Sequence, residues 1–124
     1  MNDQVASLLN DSLLKVWSER DQKQRMEVMS RIYAADIVFY ESDSGPAFRG
    51  HLAIDELIQK LQAQWAPEFA FTLTGPVVTN HGVSHVAWTL GAAPETPVAS
   101  GMDIAIIEHG LIKELYLYLD EPAH

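Results

Sequence analysis

Asp103 stands in the middle of Ser100–Ile107, Ser-Gly-Met-Asp-Ile-Ala-Ile-Ile, a run that otherwise reads as a strand buried on both faces. An ionised carboxylate is costly to bury alone, so an acid in such a place is paired, protonated or turned toward a cavity. Its protonation equilibrium is then shifted, which is the property that general acid–base chemistry uses. Glu41, which ends the run Ile37-Val-Phe-Tyr-Glu41, is the comparable acid elsewhere in the chain. The residues thus suggest a small conical domain whose pocket holds Asp103 and Glu41.

Other chemistries find less support. His81 and His109 each precede a glycine and read as surface turn residues, while His51 follows Gly50 at a helix start and could cap it or sit near a pocket mouth. His85, inside Val83-Ser-His-Val-Ala-Trp88, is the histidine most open to a functional role, although a lone strand histidine usually packs at the edge of a core. No His-x-x-x-His, His-Glu-x-x-His or clustered Asp-x-Asp occurs, so no metal site is expected. Glu41, Asp43 and Asp55 read as a solvated acidic patch. The absence of Gly-x-Ser-x-Gly, of a phosphate-cradling loop and of a dinucleotide fingerprint argues against nucleophilic hydrolysis and nucleotide binding. With no cysteine, disulfides, thiol catalysis and zinc–thiolate sites are excluded.

The balance of 17 acids against 8 Lys and Arg gives a formal charge of −9, which disfavours nucleic acid and anionic membrane surfaces as partners. Met1-Asn-Asp-Gln4 offers neither a basic leader nor a long apolar run, so a soluble, cytoplasmic protein is the expectation. At 124 residues, residues 1–124 form one domain with a real core.

Three helices must come first. Asp3 is placed to cap a helix through about Glu19 whose apolar face carries Val5, Leu8, Leu9, Leu13, Val16 and Trp17. Asp21 caps a second, with Met26, Met29, Ile32 and Tyr33 inside, Gln22, Lys23, Arg25 and Arg31 outside, and Ala34-Ala-Asp36 closing it. Ile37–Tyr40 is a short strand, and a polar loop leads to Phe48-Arg-Gly-His51 and a third helix that Pro67 ends. Strands then occupy the remainder: Phe69–Thr79 with a bend at Gly75-Pro76, Val83–Gly91 after the turn at Asn80-His-Gly82, Val98–Glu108, and Leu111–Leu119 after His109-Gly110. The expected fold class is α+β, with three N-terminal helices on a curved antiparallel sheet. Met102–Ile107 and Leu115–Leu119 do not alternate apolar with polar residues, which implies that both sheet faces are covered. With three helices available for one face, a homodimer through the outer face is expected.

The order of these elements, with Tyr33-Ala-Ala-Asp36, Phe48-Arg-Gly50 and Gly110-Leu-Ile-Lys-Glu-Leu115 at matching places, resembles the nuclear-transport-factor-2-like superfamily over almost the entire chain. Within it the chain is similar to SnoaL-like polyketide cyclases and ketosteroid isomerases, whose fold is a cystatin-like cone with an interior pocket. The isomerases place a general-base aspartate eight residues after the tyrosine of Tyr-Ala-Asp-Asp, and here that count from Tyr33 reaches Glu41. Their oxyanion hole includes a protonated aspartate on the penultimate strand, the place that Asp103 matches; the run Leu73-Thr-Gly-Pro76 is also shared. The resemblance implies that Glu41 removes a proton beside a carbonyl and that neutral Asp103 donates to the enolate oxygen, with no cofactor. Where the isomerases carry an oxyanion tyrosine on the first helix, this chain has Trp17, a much weaker acid, so steroid isomerisation itself is not expected.

Trp17, Tyr33, Phe39, Trp65, Trp88 and His85 are the candidate ligand-contacting residues, aromatic walls suiting a small hydrophobic molecule. Three readings compete. One is an isomerase- or cyclase-like enzyme acting on a small hydrophobic carbonyl compound, another a non-catalytic ligand-binding dimer, and the last an interaction module of the same fold.

Overall fold

A computed structural model describes the backbone of residues 2–120 and the side chains of residues 4–120. The capping role expected of the Asp3 side chain lies outside the described residues. Helix α1 (Asn2–Asp11) runs directly into a π-helical stretch, Ser12–Trp17. In this wider helix residues four apart lie nearly in line, and Ser12, Leu13, Val16 and Trp17 all turn inward. Helix α2 (Gln22–Ile32) starts as expected: the Asp21 carboxylate accepts from the backbone N–H groups of Lys23 at 2.9 Å and Gln24 at 3.4 Å. It stops at Ile32, and Tyr33-Ala-Ala-Asp36 is already strand. The helix propensity of the alanines yields to tertiary pairing, since Tyr33 is fully buried opposite Ile112. Helix α3 (His51–Gln64) follows Gly50, whose φ of +86° suits glycine and whose N–H donates to the Ile37 carbonyl at 2.8 Å.

The strands are β1 (Tyr33–Tyr40), β2 (Ala47–Arg49), β3 (Ala70–Leu73), β4 (Val78–Asn80), β5 (Val83–Gly91), β6 (Pro97–Glu108) and β7 (Leu111–Leu119). They form one sheet in the order β2-β1-β7-β6-β5-β3, with β4 also paired to β5. The expected all-antiparallel sheet is corrected here: β1 and β7 run parallel, so the sheet is mixed. A parallel pair needs a long connection, and the chain between these two strands includes α3 and five strands. The two hairpin turns are as read, with His81 and Gly82, then His109 and Gly110, all at positive φ. Gly75-Pro76 splits the expected strand Phe69–Thr79 into β3 and β4. The architecture is α+β, the helices packing on one face of the sheet. Among the described residues, no helix is long and apolar enough to cross a membrane.

Burial restores the alternation that the β6 sequence lacks. Gly101, Asp103 and Ala105 face the helices and are buried, whereas Met102, Ile104 and Ile106 face away and are half-exposed. Among the described residues of the one chain, nothing covers these outer apolar side chains; the cover expected there is a second copy. Tyr40 and Tyr116 stack on it with ring centroids 4.7 Å apart.

Candidate active site

The register of β5 and β6 brings the central acid to its partner. Val86 pairs with Asp103 and Trp88 with Gly101, so Trp88 and Asp103 are diagonal neighbours on the inner face. The Trp88 indole Nε1–H donates to Asp103 Oδ1 at 2.9 Å. Gly101 makes this possible. A Cβ there would come within 2.8 Å of the Trp88 ring and 2.7 Å of the Tyr118 carbonyl oxygen. A glycine inside a strand often marks such a close approach, and that was the legible signal for this residue in Ser-Gly-Met-Asp. Asp103 is 5% exposed. Its burial, offset in part by the Trp88 hydrogen bond, raises the carboxyl pKa from 3.8 to about 7. Near neutral pH the group is divided between its neutral and ionised forms.

A cavity of about 210 Å³ adjoins this carboxyl. Trp17, Phe39, Trp65, Phe71 and Trp88 supply its aromatic wall, with Leu13, Leu61, Leu90 and Leu117 between them. Phe71 sits between two indoles, edge-on to Trp65 at 5.8 Å and to Trp88 at 5.0 Å; Trp17 and Phe39 meet at 5.0 Å. The polar side chains facing the cavity are Asp103 and Glu41. Glu41 is half-buried and also borders an outer cleft with Ser42, Asp43 and Tyr118, which puts it at the mouth while Asp103 lies deeper.

Trp17 occupies the expected wall, but its N–H is spent elsewhere. It donates to the Tyr33 hydroxyl at 3.2 Å, and that hydroxyl shares a 2.5 Å hydrogen bond with Ser12. Tyr33 therefore lies behind the wall and does not line the cavity; burial pushes its phenol pKa well up. His85 is corrected more plainly: it is exposed on the outer face, because Ser84, Val86, Trp88 and Leu90 take the inward positions of β5. His51 hydrogen-bonds the Ala34 carbonyl at 3.0 Å and anchors the start of α3.

The expected acidic patch of Glu41, Asp43 and Asp55 is overturned, as is the outward placement of Arg25. Arg25 and Asp55 are both 1% exposed and form an ion pair at 2.7 Å between α2 and α3. Gln22 and Gln59 donate to the other Asp55 oxygen at 2.7 and 2.8 Å. Gln62 accepts from Arg25 at 3.3 Å and donates to the carbonyls of Trp17 and Glu19 at 3.1 and 2.9 Å, fixing the end of the π-helical stretch. Among the described residues, no group of three or more His, Asp or Glu side chains is placed to hold a metal ion.

No family model and no curated protein matches the chain. Solved structures do. A candidate isomerase of the SnoaL-like family from Agrobacterium tumefaciens is 21% identical with a TM-score of 0.82, the match covering 96% of this chain and 99% of that one. A candidate SnoaL-like polyketide cyclase from Jannaschia sp. CCS1 is 13% identical with a TM-score of 0.78, over 95% and 86% of the two chains. An NTF-2-like protein of unknown function from Burkholderia xenovorans is 14% identical with a TM-score of 0.71, over 99% and 88%. The likeness is one of fold: this chain has the nuclear-transport-factor-2-like fold that its sequence resembles.

Proposed function

We propose that the cavity is a ligand pocket in which Glu41 and Asp103 carry out cofactor-free proton transfer on a small hydrophobic carbonyl compound, as in an isomerase or cyclase. The observation that carries this reading is Asp103, buried against an apolar cavity with one indole N–H as its hydrogen-bond donor and its pKa raised to about 7. Ionised Glu41 takes the proton from the carbon beside the carbonyl. The C–H electron pair moves into the carbonyl system, and neutral Asp103 donates a hydrogen bond to the oxygen that gains charge. Return of the proton from Glu41 to a different carbon completes an isomerisation. The apolar wall keeps competing water away from the developing enolate. Support from fold comes from neighbours described as candidate isomerases and polyketide cyclases.

The test is loss of deuterium from an α-deuterated cyclic enone, followed by NMR. Wild type should exchange, and Asp103→Asn and Glu41→Gln should each lower the rate by about 10²-fold or more. Wild type exchanging no faster than buffer, while still binding a neutral aromatic such as 2-naphthol, would leave a second reading. That reading is a non-catalytic pocket for hydrophobic ligands. It draws on the engagement of the Trp17 N–H by Tyr33, which leaves Asp103 without a second donor beside it.

The outer sheet face is proposed to pair with a second copy of the chain. Met102, Ile104 and Ile106 on β6 and Tyr116 on β7 lie half-exposed there. At one edge, Arg49 and Glu114 both sit opposite Val38 in register, so a two-fold pairing can set the cation of one copy against the acid of the other. A monomer in sedimentation at micromolar concentration would remove this part of the proposal.

A further inference from the structure

The charge of the cavity selects its ligand more narrowly than its shape does. Among the described residues, both polar side chains that face it are carboxyl groups, and no Lys, Arg or His stands in its wall. Of the three indole N–H groups in the wall, two are already used, Trp17 by Tyr33 and Trp88 by Asp103, and only that of the half-buried Trp65 has no acceptor among the described residues. Asp103 takes that single hydrogen bond on Oδ1, which leaves its other oxygen without a partner among the described residues in a 5% exposed side chain bordering the cavity. The nearby arginines are not free to enter: Arg25 is locked on Asp55, and Arg20 donates to the carbonyls of Gln62 and Ala66 at 3.3 and 2.9 Å.

An anionic ligand would therefore meet Glu41 at the mouth and find no counter-charge inside. A cation would find the reverse, a carboxylate at the entrance, a second at depth, and between them the π faces of indole and phenyl rings that attract positive charge. The formal net charge of −9 draws cations to the surface in the first place. We infer that this cavity binds small hydrophobic ammonium compounds in preference to neutral molecules of the same shape, and rejects carboxylates and phosphates. The inference rests on reading the cavity as the working pocket, and it does not require the proton transfer proposed above. Within that reading it names the cation that competes with a neutral substrate, since the proton transfer uses Asp103 in its neutral form and a bound cation favours the ionised one.

The three tryptophans of the chain, Trp17, Trp65 and Trp88, all stand in this wall, so intrinsic fluorescence reports on the cavity directly. Benzyltrimethylammonium and its neutral isostere neopentylbenzene are titrated at pH 8, with 2-naphthol as a neutral aromatic and phenylacetate as an anion. The quaternary cation keeps its charge at every pH. It should bind at least about tenfold tighter than the isostere, and phenylacetate should not saturate. Glu41→Gln, at the half-buried mouth, should cut the cation's advantage severalfold, and Glu41→Gln with Asp103→Asn should abolish it. Equal binding of cation and isostere overturns the inference, as does an advantage that survives the double substitution, since the charge would then act from the surface. Binding of 2-naphthol without any preference for the cation sinks the inference alone. Failure of every probe sinks the pocket reading with it.

Discussion

Asp55 and Asp103 are both carboxylates withdrawn from water, 1% and 5% exposed, yet the protein treats them in opposite ways. Asp55 receives a guanidinium on one oxygen and two amide donors on the other, so its charge is matched where it sits. Asp103 receives one indole N–H and otherwise faces a cavity. The first arrangement joins α2 to α3 and holds the end of the π-helical stretch; nothing in it is left over for a ligand. The second leaves an acid under-partnered in an apolar place, a cost that the fold carries without structural return. Burial of an acid is thus a poor sign of function by itself. What separates the two is how many donors the acid has, and whether the remaining direction holds protein or space.

The largest effect that would test the contrast lies on the structural side. Removing the guanidinium with Arg25→Ala leaves Asp55 buried without its counter-charge and should cost about 3–5 kcal/mol, read as a drop in urea midpoint with the slope unchanged. Replacing both partners by apolar residues, Arg25→Met with Asp55→Leu, should recover much of that loss. A cost below about 1 kcal/mol for Arg25→Ala would mean that the pair is no better anchored than a surface bridge, and the contrast would collapse.

Asp103 should respond in the opposite direction. Its carboxyl titrates near 3.8 in the unfolded chain and near 7 in the folded one, so between those values the folded state holds more protons. Stability from this group is fully present below pH 3.8 and is lost as pH rises through about 7. At about 1.4 kcal/mol per pKa unit, the loss comes to about 4–5 kcal/mol at most. Asp103→Asn cannot ionise. Relative to wild type it should gain in melting temperature between pH 5 and pH 8, by an amount equivalent to roughly 2–3 kcal/mol, while losing deuterium exchange. A melting difference that does not change with pH would show that Asp103 is as well served as Asp55.

Much of this was open to reading in the chain, and the failures share a cause. Period and cap residues were enough for Asp21, for the two His-Gly turns and for the end of α3 before Pro67, because those features are local. An apolar strand with one acid in it was enough for Asp103. Arg25 and Asp55 misled because a charged side chain on a helix looks solvated until its partner, 30 residues away in the chain, is known to lie opposite. His85 and Tyr33 misled for the same reason at the level of register and length: one residue decides which sheet face a strand side chain takes, and where β1 begins decides what Tyr33 touches. Gly101 was the missed clue, a strand glycine two residues before the acid whose missing side chain admits the Trp88 ring.

The smallest structural effect belongs to Glu41, and that is what makes it the sharpest probe. It is half-buried at the cavity mouth, beside Ser42 and Asp43, and among the described residues belongs to none of the ion pairs. Glu41→Gln keeps its size and loses its charge, so stability should move by no more than about 0.5 kcal/mol. Binding of neutral 2-naphthol should be unchanged, since the aromatic wall is intact. Deuterium exchange should fall to the buffer rate, because glutamine cannot accept the proton. That pattern would assign Glu41 a chemical role that stability cannot mimic. Exchange that survives the substitution would move the base elsewhere and leave Glu41 as a charge at the entrance, felt by ammonium ligands but not by the reaction.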